Sequence, residues 1–189
     1  MAFPNAIPSV LAALLVIGAP LMADPASQDG LQSKATAEEK LKTADYLVGT
    51  WTCAHTVGTF SGTYKTSFSK VLGDRWLQQT YEFPAQTTAG RNEPASTAVA
   101  LMGYDERRQT WIRFFANSGG QYFPIRMTDT GSGWAWKYST FFTRTAPETP
   151  GADATLTRKS ATEYSIDGPT YPQGGAIVTE HHACRKVSG

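Results

Sequence analysis

Residues 49–57 read GTWTCAHTV, and residues 178–186 read VTEHHACRK. Each stretch is rich in Thr, Val or aromatic side chains, has no helical period, and carries one of the two cysteines of the chain, Cys53 and Cys184. The first stretch opens the series of strands described below, and the second closes it. A series of antiparallel strands whose first and last members are neighbours is a closed barrel without exposed edges. These two stretches therefore decide the fold.

The spacing within the two stretches also predicts which side chains face each other. Side chains at positions i and i+2 of a strand share a face. If Cys53 and Cys184 are direct antiparallel neighbours, two residues further along each strand His55 lies opposite His182. Two residues further still, Val57 lies opposite Glu180. This prediction depends on the register, because a slip of one residue would send His181 inward instead.

Between these stretches the chain contains short runs of Thr, Tyr, Phe, Trp and Val that are separated by Gly, Pro and Asp. They predict ten strands in hairpin order, near residues 50–57, 62–72, 75–83, 97–104, 109–117, 120–129, 133–144, 153–160, 162–167 and 175–187. The segment 84–96 has the least strand character, and we expect a flexible rim loop there. The expected fold is all-β, an up-and-down antiparallel β-barrel of about ten strands.

A short helix is expected in front of the barrel. Residues 36–39 read TAEE, in which the Thr36 hydroxyl and the Glu39 carboxylate can cap the first turn reciprocally. Leu41, Ala44 and Val48 would then form one apolar stripe. Gly49 is a natural stop for this helix.

The N-terminal segment predicts export. An apolar run from residue 10 to 17 is too short to span a bilayer and suits a signal peptide, with Ala23 as the last residue before cleavage. An uncleaved apolar anchor and a misassigned start are the alternatives. We assign residues 1–23 to the signal peptide, 24–35 to a linker and 36–189 to the barrel domain. The mature protein would be periplasmic or extracellular, without a stable membrane span.

Export bears on the two cysteines. In an oxidising compartment, an even cysteine count favours a disulfide, here between Cys53 and Cys184. The alternative is a pair of free, buried thiols. The two residues are not spaced as a zinc or redox motif.

The composition is that of a folded domain, because 41% of the residues are hydrophobic and 17% are charged. The formal net charge is +1, and no basic stripe stands out. This excludes nucleic acid as a partner attracted by charge.

The run Gly49-Thr50-Trp51, preceded by a short helix, resembles the calycin superfamily, which includes lipocalins, fatty-acid-binding proteins and nitrobindin-like barrels. The fuller set is most similar to uncharacterised exported bacterial lipocalin-like proteins with a G-x-W-x-C opening. The shared features are Gly49 to Cys53, Arg75-Trp76-Leu77, Gly103-Tyr104-Asp105, Gly119-Gly120 and Cys184-Arg185-Lys186. The resemblance implies a barrel with an interior cavity and brings no established activity. It also favours Trp51 as a plug of the closed end over Trp51 as a wall of a ligand cavity.

A cavity of this kind predicts a binding protein for a small apolar or amphipathic ligand. The aromatic residues available for its wall are Tyr64, Phe68, Trp76, Tyr81, Trp111, Phe114, Tyr122, Trp134, Trp136, Tyr138 and Phe141, and alternation lets only part of this set face inward. The ligand-binding residues predicted from the sequence are Trp76, Tyr81, Trp111, Trp136, His55, His182 and Glu180. Among Arg75, Arg113, Arg126 and Arg144, one or two could reach inward and hold a ligand carboxylate, as in fatty-acid-binding proteins.

The histidines leave alternatives open. Two imidazoles and the Glu180 carboxylate could bind a transition metal. A single His182 or His55 could hold haem, as the resemblance to nitrobindin-like barrels implies. The simpler alternative is that the two rings stack or hydrogen-bond without any ligand. We expect no metal and no cofactor, with haem as the exception to test.

Two further functions stay open. The barrel could be structural, with an interior filled by its own side chains. It could also be a hydrolase or isomerase that uses a histidine and Glu180 as acid and base. An enzyme is not the leading hypothesis, because no nucleophile with a partner, no G-x-S-x-G and no H-E-x-x-H is found.

Overall fold

Ten antiparallel strands close into a barrel in the computed structural model, which describes residues 34–88, 91–138, 153–173 and 176–187. The predicted signal peptide, most of the predicted linker, and the predicted strand end at 139–144 lie outside the described residues. The barrel strands are β1 (Gly49–Val57), β2 (Phe60–Val71), β3 (Trp76–Phe83), β6 (Ser96–Asp105), β7 (Thr110–Asn117), β8 (Tyr122–Asp129), β9 (Gly133–Tyr138), β10 (Asp153–Arg158), β11 (Glu163–Gln173) and β12 (Ala176–Lys186). Two short strands, β4 (Gln86–Thr88) and β5 (Arg91–Glu93), form a separate sheet.

The barrel closes between β1 and β12, as the cysteines predicted. Cys53 pairs with Cys184 across the two strands, and a disulfide joins them. In the same register His55 pairs with His182 and Val57 with Glu180. On its other side, β1 pairs with β2 in an antiparallel ladder. The up-and-down fold class and the predicted register are therefore confirmed.

Strands β1, β3 and β8 alternate between more and less buried side chains, as expected when one face of a sheet is the core. In β1 the buried positions run from Trp51 through Cys53 and His55 to Val57. In β3 they are Leu77, Gln79 and Tyr81. The inner layers of the barrel follow directly from this alternation.

A short helix and a turn cover one end of the barrel, which we call the closed end. The helix α1 (Ala37–Thr43) begins at Thr36, and the predicted capping box with Glu39 is present. A 3₁₀ turn (Asp45–Leu47) follows. The indole Nε1 of Trp51 donates to the Leu47 carbonyl oxygen at 2.7 Å, so Trp51 is the plug that the resemblance favoured.

The predicted helical stripe was wrong at its last residue. Leu41 and Ala44 are buried, but Val48 is exposed and Leu47 is buried in its place. The physical reason is the 3₁₀ turn, which has three residues per turn and so places a different residue toward the core than a continued α-helix would. No helix among the described residues is long and apolar enough to cross a membrane.

Two loop predictions were also wrong. The segment 84–96 contains a small hairpin of β4 and β5, and the Gln86 side chain accepts a hydrogen bond from the backbone N–H of Thr63 at 2.7 Å. The proline-containing segment after Asp167 continues β11 as far as Gln173, with a register shift between Pro169 and Pro172. Among the described residues β10 pairs with β11 only as far as Asp167. The prolines therefore occupy a part of β11 with a neighbour on one side, where a missing N–H is tolerated.

Candidate functional site

The barrel encloses a cavity of about 200 Å³ above the layer of aromatic side chains at the closed end. Its wall is mainly apolar and aromatic, as is usual for small-molecule sites. The apolar lining includes Phe83, Met102, Phe115, Phe123, Met127, Trp134, Trp136, Leu156 and Ile166. Three groups of polar side chains line it: Arg113 with Gln79 and Tyr81, Tyr64 with His182 and Glu180, and Asn117 with Gln121.

Arg113 is the buried cation of the cavity, with 8% of the residue exposed. It lies on β7, on the same face as Trp111 and Phe115, so strand alternation aims its long side chain inward. Its Nη2 donates to the Tyr81 hydroxyl and, at 3.3 Å, to the Gln79 side-chain oxygen. The guanidinium also lies over the Phe115 ring, 5.5 Å from its centroid. These contacts hold the guanidinium in one place on the wall.

The charge of Arg113 has no counter-ion in the part of the chain that the structure describes. Among the described residues no carboxylate lies within ion-pair distance of its guanidinium, and only Nη2 has a hydrogen-bond acceptor. A buried charge without a partner is unfavourable in a low-dielectric interior. The remaining N–H groups are therefore available to an acceptor, above all an anion, that enters the cavity.

Tyr64, His182 and Glu180 form a hydrogen-bonded chain on another part of the wall. The Tyr64 hydroxyl lies 2.9 Å from His182 Nδ1, and His182 Nε2 lies 2.6 Å from Glu180 Oε1. Burial raises the pKa of the Tyr64 phenol well above its ordinary value, with smaller contributions from Tyr164, Tyr81 and Glu180. Tyr64 therefore keeps its proton and acts as a hydroxyl.

His55 lies beside this chain, and its ring stacks on that of His182 at a centroid distance of 5.7 Å. Its Nδ1 is buried and has no hydrogen-bond partner among the described residues. Burial lowers the pKa of His55, and the neighbouring His182 lowers it further. His55 does not line the cavity itself. It lines an adjoining space of about 310 Å³, here called the vestibule, together with Phe60, Phe83 and residues of the β4–β5 hairpin.

The lowered pKa of His55 predicts a loss of stability in acid. The folded protein resists protonation of this ring while the unfolded chain takes up the proton at its ordinary pKa of about 6.5. Stability is therefore complete above pH 6.5 and decreases as the pH falls from there toward the folded pKa. His55→Phe should reduce this loss, measured as the free energy of urea unfolding at pH 7.5 and pH 5.

The matched control is His181→Gln, which changes the exposed histidine of β12 that pairs with Asp167. This variant should lose at least as much stability between the two pH values as the wild type. An undiminished acid loss in His55→Phe would contradict the assignment of the effect to His55.

The structure separates the predicted ligand-binding residues into four groups. Tyr81, Trp136, His182 and Glu180 line the cavity, and His55 lines the vestibule. Trp111 is buried below the cavity, where it packs against Trp134 with ring centroids 5.2 Å apart. Trp76 is on the outer face.

The interior position predicted for Trp76 was therefore wrong. Leu77 is buried on β3, so the side chain of its neighbour Trp76 points the other way. There its ring lies over Gly103, where an added Cβ would come within 2.8 Å of it. Within the broader aromatic set, Phe114 and Tyr122 are also on the outer face, while the side chains of Tyr138 and Phe141 lie outside the described residues.

Sequence reasoning did not single out Arg113 from the other arginines. Arg75 and Arg126 are exposed and Arg144 lies outside the described residues, so Arg113 alone of the described three reaches the cavity. Sequence reasoning also missed Gln79. The side-chain Nε2 of Gln79 donates to the Thr66 hydroxyl at 3.1 Å, so Gln79 joins Arg113 to Thr66. Strand alternation places Gln79 on the face of Leu77 and Arg113 on the face of Trp111, but the residues of β3 and β7 do not by themselves show which face points inward.

The histidines do not form a metal site with Glu180. Among the described residues no three His, Cys, Asp or Glu side chains are placed to hold a metal ion. Glu180 engages Nε2 of His182, and Tyr64 engages Nδ1, so His182 has no nitrogen left for a metal or for haem iron. The unpartnered Nδ1 of His55 is the imidazole nitrogen that fits such a ligand.

Comparisons with known proteins show the fold alone. No family model matches the chain, and no curated protein matches it. Among solved structures, it is similar to Rv2717c from M. tuberculosis, with 13% identity, a TM-score of 0.56, and coverage of 81% of this chain and 100% of that one. The S-type phycobiliprotein lyase CPES from Guillardia theta gives 12% identity, a TM-score of 0.49, and coverage of 82% and 96%.

The fold and the cavity together define the class of protein. The chain is a ten-stranded antiparallel β-barrel, closed by its first and last strands, with the fold of Rv2717c. Its interior combines an aromatic wall with a buried arginine and a Tyr–His–Glu chain.

Proposed function

We propose that the barrel binds a small amphipathic molecule that carries a carboxylate. The apolar part lies in the cavity, and the carboxylate binds Arg113. The observation that carries this proposal is the buried guanidinium, which has no carboxylate partner among the described residues and keeps N–H groups for an acceptor. A planar guanidinium matches a carboxylate with two parallel hydrogen bonds.

The size of the cavity limits the ligand. A protein cavity of about 150 Å³ accommodates benzene. A cavity of about 200 Å³ therefore suits a ring or a short chain together with its carboxylate. The vestibule shares Phe83, Phe115 and Glu180 with the cavity, so a longer tail would continue there.

The energetics of Arg113 also support a role in binding. Charged groups buried without a counter-ion reduce stability, and replacing them by apolar side chains is often neutral or stabilising. Residues of this kind persist where function requires them. A ligand carboxylate would supply the missing counter-charge.

We further propose that the protein is exported and belongs with the exported lipocalin-like proteins that its G-x-W-x-C opening resembles. The disulfide between Cys53 and Cys184 supports an oxidising compartment. The ligand would then be a molecule of the periplasm or of the surroundings of the cell.

Native mass spectrometry of the protein purified from its producing cells tests both proposals. We expect a mature chain that begins at Asp24 and, in part of the population, an added mass that is released on denaturation and behaves as a small acid. Arg113→Leu, purified in the same way, should lack the added mass. A chain that retains residues 1–23 would contradict export, and the same adduct in Arg113→Leu would contradict binding through Arg113.

Haem binding is the second candidate function, with His55 as the proposed iron ligand. Its buried, unpartnered Nδ1 favours this candidate, and its lowered pKa keeps the ring in the neutral form that ligates iron. A Soret band after addition of haemin that disappears in His55→Phe and persists in His181→Gln would support it. Absence of the band in the wild type would remove it.

A further inference from the structure

Two sets of polar side chains on the cavity wall differ in hydrogen-bonding character, and the amide pair of Asn117 and Gln121 forms a third. Arg113 has donors only, because a guanidinium carries five N–H groups and no acceptor. The chain of Tyr64, His182 and Glu180 reaches the same cavity from β2 and β12. The rings of Tyr64 and Tyr81 lie 6.0 Å apart, so the two polar sets are close neighbours.

The hydrogen bonds within this chain determine what it can offer to a ligand. Glu180 is a carboxylate and accepts, so His182 Nε2 must carry the hydrogen of their 2.6 Å contact. In the neutral imidazole Nδ1 is then the acceptor, and the Tyr64 hydroxyl donates to it across 2.9 Å. The hydrogen of Tyr64 is thereby engaged, and its oxygen has only lone pairs left.

The positions of this hydrogen-bonded chain that remain available to a ligand are therefore acceptors. The Tyr64 oxygen retains a lone pair, and the carboxylate of Glu180 retains further acceptor positions. Tyr64 is almost completely buried, at 2% exposure, so water from outside the barrel does not compete freely for it. Burial also raises the pKa of Tyr64, which keeps the hydroxyl protonated and the arrangement intact.

We propose that Tyr64, His182 and Glu180 form a second polar subsite that accepts a hydrogen bond from a hydroxyl or amino group of the ligand, so that the ligand is a small hydroxy or amino acid with a carboxylate at Arg113. This inference rests on the proposed binding of a carboxylate. The second subsite would make the protein selective for ligands that carry a hydrogen-bond donor in addition to the carboxylate. A site that hydrogen-bonds a hydroxyl discriminates against analogues that lack it, because its own polar groups then stay unpaired.

Isothermal titration calorimetry at pH 8 with simple aromatic acids tests the selectivity. The probes are benzoate, 3-hydroxybenzoate, 4-hydroxybenzoate and the methyl ethers of the two hydroxy acids. We expect one hydroxybenzoate to bind about tenfold more tightly than benzoate, as one added hydrogen bond in a buried site provides. Its methyl ether should bind no more tightly than benzoate, because it has the oxygen without the donor.

The variant Tyr64→Phe assigns the effect to the subsite. It should lose most of the tenfold preference for the hydroxybenzoate over benzoate, whatever its affinity for benzoate itself. Tyr164→Phe is the matched control, since Tyr164 is buried on the inner face but packs against Trp51 below the cavity. This control should keep the preference.

The outcomes separate this inference from the proposed function. Equal binding of benzoate and both hydroxybenzoates overturns the inference and leaves the carboxylate site intact. A preference that survives in Tyr64→Phe also overturns it. No binding of any acid overturns the proposed function and the inference together. If Tyr64→Phe does not fold, the comparison of hydroxy acids with their methyl ethers on the wild type decides.

Discussion

Replacement of Arg113 by leucine is expected to weaken benzoate binding by about 100-fold without destabilising the barrel. Removal of one partner of a buried, charge-assisted contact costs about 2–5 kcal/mol of binding, and 100-fold corresponds to about 2.7 kcal/mol. The free protein behaves differently, because Arg113 is buried without a counter-ion among the described residues. Leucine is shorter than arginine but places no charge in the interior, so the thermal midpoint should stay the same or rise.

Calorimetric titration of both proteins with benzoate and a thermal melt without ligand give the two readouts. Arg126→Leu is the matched control, because Arg126 is an exposed arginine on β8 that points away from the cavity. It should bind benzoate as the wild type does. Unchanged affinity in Arg113→Leu would contradict the site, and a lowered melting temperature would show that Arg113 serves the fold instead.

Loss of the disulfide is expected to lower the free energy of unfolding by about 4 kcal/mol. The cross-link joins residues 131 positions apart, and the entropy that it removes from the unfolded chain increases with loop length. It also joins the two strands whose pairing closes the barrel. Urea unfolding of Cys53→Ala, Cys184→Ala and the double variant should give similar losses, because any one of them removes the bridge.

Reduction of the wild type provides the control for this effect. A reductant should move the unfolding midpoint of the wild type toward that of the double variant and leave the double variant unchanged. If the oxidised wild type and the double variant unfolded at the same urea concentration, the bridge would not stabilise the barrel.

The sequence predicted the closure of the barrel in detail because strand geometry allows few choices. With period 2 along a strand and antiparallel pairing, one contact determines the others. Once Cys53 and Cys184 are neighbours, His55 must lie opposite His182. The capping box at Thr36 was predictable for a similar reason, since it depends on two side chains three residues apart.

Other parts of the site depended on information that the local sequence does not contain. The parity of β3 is ambiguous from its residues, because Trp76 and Leu77 are both apolar and either could face inward. Arg113 resembles the exposed Arg126 in sequence context, and only the closed barrel distinguishes them. The contact of Tyr64 with His182 joins residues from two strands that are not hydrogen-bonded neighbours, since β1 lies between them.

The most direct test of the carboxylate site is a crystal structure of the protein grown with benzoate. We predict that the benzoate ring lies in the aromatic cavity, near Phe115 and Trp136, with its carboxylate oxygens within hydrogen-bond distance of the Arg113 guanidinium. Benzoate bound elsewhere, with Arg113 in contact only with Tyr81 and Gln79, would contradict it.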